Sequence, residues 1–126
     1  MAEETKKVET TEEEKVNPVI LIDNETGEEY TLEFDKDAVL FAEARGFDPD
    51  TVGTYPMTKI PELFFYAFRM HHKNVAREKT DKLLEGIGGI KNVSDEFLAR
   101  LIHLYNLPVA GLFGKETENP RVTVKL

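Results

Sequence analysis

An α+β domain is what this 126-residue sequence predicts: an N-terminal β-hairpin packed on a mainly helical bundle of three to four helices. Two strand-length runs, PVILID and YTLEF, stand close together near the start and are rich in β-branched and aromatic residues. Beyond Asp35 the apolar residues recur at spacings of three and four rather than two, the period of helices. Clusters of Pro, Gly and Asp cut that helical part into pieces.

With 40% hydrophobic and 32% charged residues, the chain has material for one modest core. The organisation reads as an acidic tail over 1–17, a single domain over 18–113, and a linker with an optional C-terminal strand over 114–126. Residues 1–17 hold six Glu and three Lys against two Val, too little apolar surface to offset the entropy of ordering them. In the hairpin, Asn24 and Gly27 supply turn-compatible backbone, and Tyr30, Leu32 and Phe34 alternate with Thr31 and Glu33 as on a strand with one buried face. Asp35 stands where an N-cap belongs, opening a short helix that Gly46 closes. FDPDTVGTYP reads as a loop. Thr58 is the expected cap of the next helix, with Pro61 and Glu62 in its first turn and an extent of about 59–77, while Thr80 to Glu85 either continue it or form a separate turn. The glycines of EGIGGIKN break the pattern. A last long helix starts at Asn92 or Ser94, and Pro108 stops it. Residues 109–114 suit a short helical turn, and RVTVKL alternates well enough to add a third strand to the hairpin.

Several function classes fall away on composition. Without cysteine the chain has no disulfide framework and no thiolate zinc site. No apolar run approaches the roughly 18 to 20 residues that cross a bilayer, so a soluble protein is expected; no basic, then apolar, leader opens the sequence, so export by that route is not expected, and the lack of cysteine is compatible with a reducing cytoplasm. A net charge of −8 repels nucleic acid and anionic membrane, and neither is expected as a partner.

The densest stretch is PMTKIPELFFYAFRMHHKN, residues 56–74. On a helix, Ile60, Leu63, Phe64, Ala67, Phe68, His71 and Val75 share one face and read as core. Phe65, Arg69 and His72 make a second stripe, flanked by Tyr66 and Met70, of the residue types enriched in binding surfaces. These five are the candidate partner-binding or self-association residues; the alternative is that the hairpin or the C-terminal helix covers them. Adjacent histidines on a helix point about 100° apart and do not chelate one ion, so no metal site is expected. His71 reads as a core residue bonded to backbone, and His72 as a rim residue. The only serine, Ser94, sits at a helix start, and GIGG at 86–89 lacks the context of a phosphate loop, so neither catalysis nor a cofactor is expected.

YTLEF (30–34), EARGF (43–47), PMTKIPELFFYAFRMHH (56–72) and LYNLP (104–108), in that succession, resemble a family of small proteins encoded in the tail modules of long-tailed phages and prophages of Gram-positive bacteria. The resemblance covers about residues 28–113; the acidic N-terminal segment is longer than the family pattern and EGIGGIKNV looks expanded. It implies a tail assembly chaperone of the host cytoplasm, absent from mature virions. Such a protein binds and solubilises the tape measure protein, with the major tail protein as a further possible partner, and works as a homo-oligomer. Bound copies would cover apolar helix stripes of the tape measure protein until the tail tube forms around it. The competing reading is a structural tail-completion or minor virion protein, which would remain in finished particles.

Overall fold

The computed structural model of the chain describes residues 16–113 and 120–126. Most of the acidic tail and all but the last residue of the KETENP linker lie outside that range. Strands β1 (Val19–Ile22) and β2 (Glu29–Leu32) form an antiparallel hairpin with Val19 opposite Leu32 and Leu21 opposite Tyr30. Four helices follow, α1 (Lys36–Ala44), α2 (Pro56–Tyr66), α3 (Arg77–Ile87) and α4 (Asp95–Asn106), and the four-residue α5 (Ala110–Phe113) comes last. The architecture is α+β, an N-terminal hairpin on four helices.

Local signals set most of these boundaries. The Asp35 carboxylate accepts the Ala38 N–H at 2.8 Å and starts α1, and the Ser94 hydroxyl accepts the Phe97 N–H at 3.0 Å and starts α4. Gly46, at φ 85°, carries the chain out of α1. The hairpin turn hangs on Asp23 rather than Asn24: the Asp23 carboxylate accepts the Glu25 N–H at 2.9 Å, while its carbonyl accepts the N–H of Gly27, at φ 80°, at 2.7 Å.

The middle of the chain departs from the expected pattern. Helix α2 starts at Pro56 with Tyr55 as an N-cap that makes no side-chain bond, so Thr58 is not the cap and Pro61 lies inside the helix rather than in its first turn. It also stops at Tyr66, not near 77. Past that point Phe68 and Arg69 bond three residues back, the tighter 3₁₀ pattern, and the chain turns until α3 begins as a separate helix. No Gly or Pro marks this stop. A tertiary bond does: the Ala67 carbonyl accepts the Glu33 N–H at 3.0 Å, next to β2.

Tyr30, Leu32 and Phe34 from the hairpin, Ala38, Val39 and Ala42 from α1, Ile60, Leu63 and Phe64 from α2, and Leu101, Leu104 and Tyr105 from α4 enclose Ala67 and Phe68. Edge-on aromatic contacts tie the layers together, with Phe34 and Phe47 5.0 and 5.5 Å from Tyr105 and Phe64 5.2 Å from Phe68. The expected third strand is absent: residues 121–126 form no strand and every one is exposed. Among the described residues, no helix is long and apolar enough to cross a membrane.

Gly88 closes α3 at φ 119°, and a Cβ there would stand 2.5 Å from Asn92 Nδ2. Gly88→Ala is expected to cost more than about 1 kcal/mol in urea unfolding, because the left-handed backbone strain adds to the clash. Asn92→Ala in the same background should recover only part of that loss. An unchanged midpoint for Gly88→Ala would refute the left-handed cap.

Candidate partner-binding surface

Four of the five residues singled out as a surface stripe face other parts of the chain. Tyr66 is buried, its ring 5.4 Å from Phe47 and 6.0 Å from Phe41, and so belongs to the core. Phe65 is half-buried against Tyr66 at 5.4 Å. Arg69 lays its guanidinium 3.7 Å from the centre of the Phe41 ring and donates to Asp37 at 3.2 Å. His72 is half-buried and accepts the Thr31 backbone N–H on Nε2 at 2.9 Å. Met70 alone is exposed. Since α2 ends at Tyr66, the expected stripe is not a stripe: residues 69–72 follow a turn and spread along the hairpin and α1. Between Phe41, Phe65, Tyr66, Arg69, His72, Lys73 and Val75 there remains only a crevice of ≈ 30 Å³.

The two histidines exchange their expected roles. His71 is exposed and reaches the Glu33 carboxylate at 2.8 Å, an ion pair only when the ring carries a proton. His72 makes the backbone bond expected of His71. Its Nε2 must be unprotonated to accept from Thr31, which places the ring's proton on Nδ1. Burial, and secondly the neighbouring His71, lower the His72 pKa from its ordinary 6.5, in keeping with that neutral role. Among the described residues, no group of three or more His, Cys, Asp or Glu is placed to hold a metal ion, and no buried side-chain nitrogen or oxygen lacks a hydrogen-bond partner.

Sequence reasoning missed two features here. Phe41 is flanked by a second guanidinium, that of Arg45, at 4.0 Å. That contact was readable, because Arg45, the residue that ends α1, stands four positions after Phe41. The other is a groove of ≈ 530 Å³ between the hairpin and α3. Its floor is apolar, made by Leu21, Ile22, Tyr30, Leu83 and Ile87. Asp23 and Glu25 border it on the hairpin side, Lys79 and Lys82 on the helix side. Ile22 and Ile87 are both exposed. The stripe Thr80, Leu83, Leu84, Ile87 was visible in the spacing, but only once α3 is a helix in its own right.

A family model described as "Domain of unknown function (DUF5055)" matches residues 2–126. No curated protein and no solved structure matches the chain.

The His72 bond makes stability depend on pH in a stated direction. With the folded-state pKa below the unfolded 6.5, the unfolded chain takes up the proton first. This contribution is therefore complete above about pH 6.5, shrinks as the pH falls below it, and levels off once the folded ring is protonated as well. His72→Ala should lower stability by about 1 kcal/mol at pH 7.5 and should flatten the unfolding curve's pH slope just below 6.5 relative to wild type. An identical slope in both proteins would show that His72 does not act through its neutral form.

Proposed function

The chain belongs to the DUF5055 family, and we propose that it is a phage tail assembly chaperone. In this reading it acts in the cytoplasm of the bacterial host, binding and solubilising the tape measure protein during tail morphogenesis. The observation that carries the proposal is the groove between the hairpin and α3. Its floor is apolar, and it is bordered by acids on one side and lysines on the other. A helix with an apolar stripe could lie there, oriented by the two rims. The net charge of −8 would keep a partner coated with many copies from aggregating. Support also comes from the resemblance of residues 28–113 to tail-module proteins.

The residues assigned to binding differ from the stripe expected from sequence. Ile22, Leu83 and Ile87 carry the apolar contact, and Met70 lies outside it. No catalytic step is assigned to any of them.

Co-expression of the full chain with a helical fragment of the tape measure protein tests this reading. The wild-type chain should co-purify with the fragment in several copies. Ile87→Asp and Lys82→Glu, both at exposed positions, should lose the fragment while keeping the far-UV spectrum of the wild type. A wild-type chain that ignores the fragment would overturn the chaperone reading. Full retention by both variants would remove the groove from it.

A further inference from the structure

Backbone parity in the hairpin leaves the outer edge of β1 without a strand partner among the described residues. The Asp23 N–H donates to the Glu28 carbonyl at 2.8 Å, which makes that pair a hydrogen-bonded one. Two residues along, Leu21 with Tyr30, and two further, Val19 with Leu32, are hydrogen-bonded pairs as well. On β2 the alternate amides, Thr31 and Glu33, turn away from β1 and are taken up by His72 and Ala67. On β1 the alternate residues, Ile20 and Ile22, turn their N–H and C=O groups outward, and among the described residues no backbone group meets them. Their side chains are also uncovered, at 49% and 58% exposure. An open strand edge with bare isoleucines is a template for another strand.

The same chain carries a matching strand. Residues 121–126, RVTVKL, alternate apolar with polar or basic, and Val122 and Val124 are 79% and 76% exposed, with Leu126 fully so. In an acidic protein this segment has two basic residues and no acidic one, whereas the hairpin carries Asp23, Glu25, Glu28 and Glu29. Pattern and charge are complementary, yet within one chain the segment lies off the sheet with all its residues exposed.

We propose that the outer edge of β1 is a self-association site that takes residues 121–126 of a second copy of this chain as a third strand. Val122, Val124 and Leu126 then lie beside Ile20 and Ile22, and Arg121 and Lys125 approach the acidic hairpin. The inference rests on the strand edge and the segment alone, and stands whether or not the tape measure reading holds.

Because the natural chain has no cysteine, single cysteines report the contact directly. The full chain should scatter light with a mass above 14.4 kDa that grows with concentration. Val122→Asp with Val124→Asp should return it to that monomer mass with an unchanged far-UV spectrum. Mixing one protein carrying Ile20→Cys with another carrying Val124→Cys should give a disulfide-linked heterodimer under mild oxidation. Ile20→Cys mixed with Leu40→Cys, an exposed control position, should give none. A wild-type chain that stays monomeric overturns the proposal, as does a double Asp variant that associates like wild type. So does a chain carrying both Ile20→Cys and Val124→Cys that closes its disulfide within one copy even when mixed with excess unlabelled protein, since the strand would then be its own.

Discussion

The structure depends on how the second edge of β2 is closed. One edge pairs with β1; along the other, Glu33 donates to the Ala67 carbonyl and Thr31 to the His72 ring. A two-stranded hairpin is marginal by itself, and a bare edge leaves backbone groups without partners. The turn after α2 supplies those partners, and supplying them decides where α2 stops. Once the Ala67 carbonyl faces Glu33, the helix cannot run on through it unchanged. Phe68 is then carried beneath the hairpin, 5.7 Å from Tyr30, and Arg69 over Phe41, with His71 against Glu33.

This closure consumes most of what makes residues 56–74 look like a binding surface. Their aromatic side chains serve the core and their polar ones tie the turn to the hairpin and α1. Surface available to other molecules is displaced to the far side of the hairpin, where Ile20 and Ile22 are bare, and to the groove that Ile22 and Tyr30 share with α3. The hairpin thus has an inner edge whose amides are taken up by the turn after α2, and an outer edge on β1 that pairs with no strand among the described residues. Charge follows the same division: the acids of the hairpin turn stand beside the open edge, and the lysines of α3 stand across the groove.

What could be read from the sequence was what short-range chemistry decides. Asp35, Gly46 and Ser94 act within one turn of their own positions, and the alternation of Tyr30, Leu32 and Phe34 survives folding because one face of β2 is buried. The core face of α2, Ile60, Leu63, Phe64, Ala67 and Phe68, was legible for the same reason, since the spacing holds through the first residues of the turn. The end of α2 was not. Its cause is a hydrogen bond to a residue more than thirty positions earlier, and nothing local to 67–76 announces it. With the helix extended too far, His71 was placed inside and His72 outside, and Tyr66 was placed on a surface when it stands between Phe41 and Phe47. RVTVKL has the pattern of a strand, but a pattern does not name the chain that it pairs with.

Amide hydrogen exchange resolved to single residues tests the closure of β2 most directly. Above pH 6.5 the account predicts that the Thr31 and Glu33 amides are protected to the same degree as Tyr30 and Leu32, which face β1. Once the pH falls through the folded-state pKa of His72, which lies below 6.5, Thr31 should lose protection while Glu33, bonded to a carbonyl that does not titrate, keeps it. Thr31 and Glu33 amides exchanging as fast as those of Ile20 and Ile22 would mean that β2 has an open edge and that the turn at 67–72 does not hold the fold together.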